Sequence, residues 1–373
     1  MPEIHEARRR RAQEKIVEVG ADAALITSRQ NITYLTGLAS SNAAVLIPAD
    51  GAAVLATDSR YALAAERDCP DLELIIERFV ETRLATEATT RGMRVVAFEA
   101  HEMTVQRHAE LTKTLTLVEF GQAIEELRVS KDPTELELIA TACRISDQAL
   151  SDTFRLIRPG LTERALAAAL DRRMAELGAA RPAFDTIVAS GPNGAIPHHS
   201  PVDRPLRRGD LITMDFGAMY GGYNADMTRT VALGEPAGWQ REIYDLVATA
   251  QRAGIDAARP GADVADVDAA ARDLIRDAGH EEHFQHGLGH GIGLEVHEAP
   301  MVGYGRTGKL ATRVPVTVEP GVYLPGKGGV RIEDVLVTGD SLHLLTKTTR
   351  ELLVLLAMET LILETLSWPP RTT

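Results

Sequence analysis

Between residues 21 and 100, short apolar runs alternate with polar turns. "ADAALIT" (21–27), "NAAVLIPADGAAVLAT" (42–57) and "RVVAFEA" (94–100) read as strands, and Asp50-Gly51 closes a hairpin. Ahead of them, "ARRRRAQEK" (7–15) reads as the solvated face of an N-terminal helix, with Ile16 and Val19 on its buried side. The pattern changes at "LRVSKDPTELELIATACRISDQAL" (127–150). There Asp132 can cap a helix, Pro133 suits its first position and Glu135 completes a capping box. The helix that follows is long and amphipathic. Residues 1–125 are therefore expected to form one α/β domain and residues 126–373 a second.

The second domain repeats itself. "RPGLTERALAAALDRRMAELGA" (158–179) aligns with "RPGADVADVDAAARDLIRDAGH" (259–280), sharing Arg-Pro-Gly, an Ala-Ala pair and a late glycine. Further on, "LITMDFG" (211–217) aligns with "PVTVEPG" (315–321), and "NADMTRT" (224–230) with "RIEDVLV" (331–337). Asp215 thereby pairs with Glu319, and Asp226 with Glu333. Two similar α/β halves related by a pseudo-twofold, each giving two carboxylates to a shared centre, are the implied architecture.

Strand parity agrees. Asp215 and Asp226 flank a hairpin around Tyr220-Gly221-Gly222, which sets them directly or diagonally across on one face. Glu319 and Glu333 are equidistant from Gly326 in the same way. Like charges opposed in a hairpin are destabilising unless protonated or neutralised by a cation. Four carboxylates carry too much charge for protonation alone. The competing reading is a solvated acidic edge.

Composition narrows the choice. The 373 residues suffice for two domains, and 45% apolar with 25% charged residues describes a globular chain. A net charge of -13 disfavours nucleic acid as a partner. Cys69 and Cys143 match no metal spacing and read as reduced core residues. The charged N-terminus and the lack of any run of ~18 apolar residues point away from membranes and to the cytoplasm.

The stretch "HGLGHGIGLEVHE" (286–298) supplies histidines. His286 and His290 are four apart, as on a zinc-binding helix, but four glycines argue against a helix. A loop entering a strand, "IGLEVHE", fits better. A lone histidine there reads equally well as a satisfied polar residue until other ligands appear. Four carboxylates and one histidine of this stretch would suit two adjacent divalent ions. Mn²⁺ or Co²⁺ fit such oxygen-rich ligation, or an adaptable Zn²⁺ site. Such a centre acidifies water and polarises a carbonyl, so the chain reads as a dinuclear metallohydrolase.

At these residues the sequence resembles the pita-bread metallopeptidases, specifically the Xaa-Pro aminopeptidase (aminopeptidase P) and prolidase group. The motifs are "FDTIVASGPNGAIPHH", "GDLITMDFGAMYGGYNADMTRT", "HGLGHGIGLEVHE", "VTVEPGVYLP" and "GGVRIED", with "NITYLTG" and "TDSRYA" in the first domain. Together they span nearly the whole chain. The resemblance implies a creatinase/prolidase-like N-terminal α/β domain that dimerises and caps the active site, followed by a pita-bread catalytic domain. It implies two divalent ions per subunit, most simply Mn²⁺, held by Asp215, Asp226, His290, Glu319 and Glu333, with Asp226 and Glu333 bridging. Catalytic roles fall to His198, His297, Glu319 and Arg331. His198, His286, His297 and Arg331 would contact substrate. His199 is expected to be a surface neighbour, Glu295 and Glu298 structural partners in the strand, and Asp334 to face away from the ions.

The implied activity is removal of an N-terminal residue preceding proline from short peptides, by attack of a metal-bridging hydroxide, in a homodimer or dimer of dimers. The alternative is a prolidase acting on Xaa-Pro dipeptides. Lack of a long insertion before "GGVRIED" tilts the reading toward the aminopeptidase. Remoter alternatives are a creatinase-like amidinohydrolase, which lacks the full carboxylate set, and a non-catalytic binding module. Pro315 departs from the family pattern and is expected at an edge or strand start.

Overall fold

The computed structural model describes residues 2–341 and 343–356. Residues 357–373, assigned above to the second domain, lie outside the described residues.

The first part of the chain builds one six-stranded sheet. Its elements run α1 (Pro2–Glu18), β1 (Ala23–Ile26), α2 (Arg29–Thr36), β2 (Ala43–Pro48), β3 (Val54–Thr57), α3 (Ala62–Asp68) and β4 (Glu73–Ile76). Then follow α4 (Val80–Thr90), β5 (Val95–Phe98), α5 (Val105–Leu111), β6 (Thr116–Glu119) and α6 (Ala123–Val129). The strand order is β4-β3-β2-β1-β5-β6. The central strands are aliphatic along their length because helices cover both faces. Residue 125 lies inside α6, whose Ala123 and Ile124 pack into this core with Ile16 and Tyr34.

Two expectations for α1 need correction. Val19 is exposed, because the helix ends at Glu18 and Val19 lies in the turn beyond it. The arginine run is only partly solvated. Arg8 and Arg9 are buried and donate to the carbonyls of Tyr34 and Leu35 at the C-terminal end of α2.

The second part opens with α7 (Pro133–Thr153), which carries the full Asp132–Glu135 capping box, and α8 (Glu163–Glu176). The strands β7 (Arg181–Pro182), β8 (Ile187–Ser190), β9 (Leu211–Phe216), β10 (Ala218–Tyr220), β11 (Tyr223–Asn224) and β12 (Met227–Leu233) complete the first half. The second half has α9 (Gly238–Ala257), α10 (Val264–Asp277), β13 (Gly289–Gly291), β14 (Glu298–Val302) and β15 (Pro315–Val318). It continues with β16 (Gly321–Leu324), β17 (Gly328–Arg331), β18 (Asp334–Val337) and β19 (His343–Leu344); β20 (Val354–Leu355) returns to pair with β12.

The internal repeat is visible in three dimensions. Helix pair α7–α8 covers β8-β9-β12, and pair α9–α10 covers β13-β15-β18. In each half a short strand flanks a long hairpin. Pro315 stands at the first position of β15, where a missing N–H is tolerated. The stretch "IGLEVHE" is largely not a strand. The strand there is Gly289–Gly291, and pairing resumes only at Glu298. Cys69 and Cys143 are both buried and free.

Candidate metal centre

The two hairpins bring four carboxylates together. In the first, Asp215 on β9 lies opposite Thr228 on β12. That register leaves Asp226 diagonally across from Asp215 on the same face. In the second, Val318 pairs with Asp334 and Gly321 with Arg331, which sets Glu319 opposite Glu333. Asp334, one residue on, points to the other face and is bound by Arg229, Gln251 and Thr346.

His290, on β13, completes the group. Its Nδ1 donates to the carbonyl of Gly291 at 3.0 Å, which turns Nε2 toward the acids. Nε2 lies 3.3 Å from Glu319 Oε1 and 3.7 Å from Asp226 Oδ2. Ligand-type atoms of Asp215, Asp226 and Glu333 all fall within 4.8 Å of one another, as do those of His290, Glu319 and Glu333. Glu333 belongs to both trios, so the arrangement offers two adjacent positions that share it. His297 falls within the same distance of Asp226 and His290.

A cation fits these residues on an independent observation. Asp215 Oδ1, Asp226 Oδ1 and Glu333 Oε1 are buried oxygens with no hydrogen-bond partner. Buried carboxylate oxygens are normally satisfied, and three orphans on acids grouped this closely call for a positive charge. The electrostatics agree. Burial, together with the neighbouring carboxylates, pushes Asp226 and Glu333 well above the ordinary acid range. For Glu319 burial is outweighed by the hydrogen bond from His290, which holds it at about 2. His290 is raised, because the same contact exceeds the opposing effect of its burial.

The surrounding groups hold the acids in place. Thr228 donates to Glu333 at 2.7 Å, and Thr317 to Glu319 at 3.3 Å. Arg331 is 4% exposed and spends its donors within the wall: Asp215 at 2.6 Å, the Tyr323 hydroxyl at 2.9 Å and Thr228 at 3.1 Å. His286 has both ring nitrogens engaged. Nδ1 donates to Gly287 and Nε2 meets the Tyr323 hydroxyl at 2.8 Å. Burial lowers its pKa, so it is neutral and accepts from Tyr323.

A cleft of about 420 Å³ opens above the acids. His198, His286, His297, Arg331 and the five metal-type residues all line it, with Phe184, Ile187, Val296 and Met301 as apolar walls. The His297 ring stands edge-on to that of His290, with centroids 4.2 Å apart.

His199 departs from its expected surface position. It is buried, and Nε2 lies 2.8 Å from Glu163. Glu163, at the start of α8, also accepts from Ser190, Asn193 and the backbone of Val202. This cluster anchors the segment that carries His198. The acid in "LTER" sits 36 residues before His199, too far for any local pattern to pair them.

Among the described residues no helix is long and apolar enough to cross a membrane. Residues 137–340 match metallopeptidase family M24, and residues 8–130 match the creatinase/prolidase N-terminal domain. An Xaa-Pro dipeptidase from Pyrococcus horikoshii is 37% identical over 337 residues, covering 89% of this chain and 94% of that protein. Among solved structures, an Xaa-Pro dipeptidase from Bacillus anthracis aligns with a TM-score of 0.91 at 33% identity, covering 94% of this chain and all of that one. An X-Pro aminopeptidase from Thermotoga maritima aligns at 0.84 and 35% identity, covering 91% and 99%. This chain belongs to metallopeptidase family M24: it is a hydrolase of the divalent-metal-dependent pita-bread fold, preceded by a creatinase/prolidase N-terminal domain.

Proposed function

We propose that this protein is an Xaa-Pro dipeptidase, a prolidase, that cleaves the bond between an N-terminal residue and a following proline. The observation that carries a metal-dependent hydrolase is the set of three orphaned carboxylate oxygens on acids grouped with His290. The sequence alone favoured the aminopeptidase. The dipeptidase now leads, because relatives matched along almost their full length bear that name. The similarity to an X-Pro aminopeptidase keeps longer peptides as the second reading.

In this proposal Asp215, Asp226, His290, Glu319 and Glu333 would hold two divalent ions, with Asp226 and Glu333 shared between them. Mn²⁺ suits this oxygen-rich set best, with Co²⁺ or Zn²⁺ as alternatives. When bound, such a pair supplies an acidified water and a polarised carbonyl. The chain's own groups do the rest. Glu319 accepts the proton of the attacking water. His198 and His297, at the open side of the cleft, donate to the oxygen that gains charge, a contribution of about 3–4 kcal/mol per donor. Arg331 fixes Asp215 and, with His286 and Tyr323, forms the wall against which substrate seats. A proline amide has no N–H, so recognition has to come from the carbonyl side and from shape.

The first 125 residues serve, in the same proposal, as a dimerisation and capping domain of a homodimer. Exposed Leu63, Phe79 and Val105 are the apolar surface such contacts would cover. Two free cysteines suit the reducing cytoplasm.

The test is a cleavage panel of Ala-Pro, Ala-Pro-Ala and Ala-Ala-Ala on metal-stripped protein, with and without Mn²⁺. Metal-dependent cleavage of Ala-Pro alone supports the dipeptidase. Cleavage of Ala-Pro-Ala after its first residue establishes the aminopeptidase instead. No metal-dependent cleavage of any member defeats both.

A further inference from the structure

His297 stands at the cleft with no obvious means of support. Its imidazole is exposed, touches the His290 ring and hydrogen-bonds no described residue. It sits in the irregular run between β13 and β14, where backbone pairing is interrupted. Something other than its own side chain has to fix it.

That support comes from the segment joining the two parts of the chain. Arg128, at the end of α6, donates through Nη2 to Glu298 at 2.6 Å and to Glu295 at 2.8 Å. Lys131 donates to the other oxygen of Glu298. Glu298 in turn accepts from the backbone N–H of Glu295 at 3.3 Å, and Gly293 donates to the carbonyl of Glu295 at 3.0 Å. The turn is thus wrapped around two cations that are 2% and 1% exposed. Gly293 leaves room for both side chains: a Cβ there would stand 2.5 Å from Glu298 and 2.9 Å from Lys131 Cε, and one of them would have to shift.

The same guanidinium reaches into the first sheet. Arg128 Nη1 donates to Asn31 at 2.8 Å, and Asn31 donates to Glu99 at 2.6 Å. Glu99, at the end of β5, accepts from the backbone of Thr27 and Ser28 where β1 meets α2. An unbroken buried chain of hydrogen bonds therefore runs from the first sheet to the residue after His297.

We propose that Arg128 and Lys131 are positioning residues for His297, and that through Arg128 and Asn31 the first sheet sets the geometry of the substrate cleft. This rests on the reading of His297 as a substrate-contacting group. An ion cluster buried only for stability could be replaced as a whole, Glu298 included, by apolar groups without functional loss. Arg128 grips both ends of the turn and Lys131 its Glu298 end; the free member of that turn faces the reaction, and a misplacement of about 1 Å there can cost about 100-fold.

The test uses full-length, Mn²⁺-loaded protein carrying Arg128→Gln, Arg128→Lys or Lys131→Met, each alone and combined with His297→Ala. Hydrogen–deuterium exchange of residues 293–298 and metal content are measured beside Ala-Pro kinetics. Arg128→Gln and Lys131→Met are expected to lower kcat at least about tenfold, with metal content unchanged and exchange in 293–298 faster. Arg128→Lys recovers part of the loss, and neither substitution lowers kcat further once His297 is alanine. Losses that multiply in the double variants, or unchanged exchange in 293–298, overturn the proposal. If the wild type cleaves no peptide, the functional reading has failed separately, and exchange alone decides whether the clamp holds the turn.

Discussion

Glu333 is the residue on which the electrostatics of the centre turn. It is 1% exposed, is shared by both ligand trios, and keeps one oxygen on Thr228 while the other is orphaned. Replacing it by glutamine removes a charge and adds a donor. The two consequences have opposite signs. In metal-free protein, Glu333→Gln should raise the melting temperature, because it removes a carboxylate disfavoured first by its burial and then by repulsion from Glu319 and Asp215. In Mn²⁺-loaded protein it should lower it, because binding to the native state no longer adds its full stabilisation. Activity should fall by more than the ~10–100-fold typical of groups that only support a ligand. Calorimetry with and without chelator reads both signs; a variant less stable than wild type in both forms would contradict the argument.

At the scale of elements, close approach of backbones decides where the ligands sit. Gly289 begins β13, the strand that carries His290, and a Cβ there would meet the Thr317 carbonyl of β15 at 2.0 Å. Gly289→Ala must push the two strands apart, so metal affinity is expected to drop along with stability. Gly238, at the start of α9, has nothing within 4 Å, and Gly238→Ala should be neutral or slightly stabilising. Metal titrations and urea unfolding of the pair separate a ligand-strand effect from a general intolerance of alanine. Glu163 provides a second case. It is buried and accepts from Ser190, Asn193, His199 and Val202, so Glu163→Ala strands several donors at about 1–3 kcal/mol each. Stability loss below about 1 kcal/mol in urea would show that the cluster does not anchor the His198 segment.

These elements also show what a sequence can disclose. The four carboxylates were legible because the strand period is two, and a tight turn fixes register over a few residues. The capping box at Asp132 was legible because it is local, and the repeat of α8 in α10 because the same residues recur at the same offsets. The grip of Arg128 and Lys131 on Glu298 joins residues 170 and 167 positions apart, and nothing in either segment names its partner. "IGLEVHE" reads as a strand from its residue types, yet the buried cations bend it into a turn. Val19 has helical spacing but lies past the last helical residue. Local period predicts faces; tertiary contacts decide ends, turns and buried charges.

On the scale of the whole molecule, the centre is a seam between two halves that each carry half of its charge. Asp215 and Asp226 come from the first hairpin, Glu319 and Glu333 from the second. Arg229 crosses the same seam beneath them, donating to Asp334 and to the carbonyl of Glu333. Without a cation the halves are held together against their own repulsion, and this gives the metal-free protein a particular dependence on pH. Asp226 and Glu333 have folded pKa values well above those of the unfolded chain. The folded apoprotein therefore keeps protons that the unfolded chain releases above about pH 4–4.5. Stability is then highest near the unfolded values and falls as pH rises toward the folded ones. His290, also raised, acts in the same direction as pH passes its folded value. Glu319, held at about 2, is ionised in both states above pH 5 and adds no slope there. His286 and His297, lowered by burial, act the other way, but only below their unfolded value of about 6.5. The metal-free protein is thus expected to melt at progressively lower temperature from about pH 6.5 to about pH 8. With saturating Mn²⁺ the trend should flatten or reverse, because the ligands then bind the cation in place of protons and its affinity rises with pH. Melting curves at both pH values, with and without metal, check this. An apoprotein more stable at about pH 8 than at about pH 6.5 would mean that the four acids do not share one buried seam.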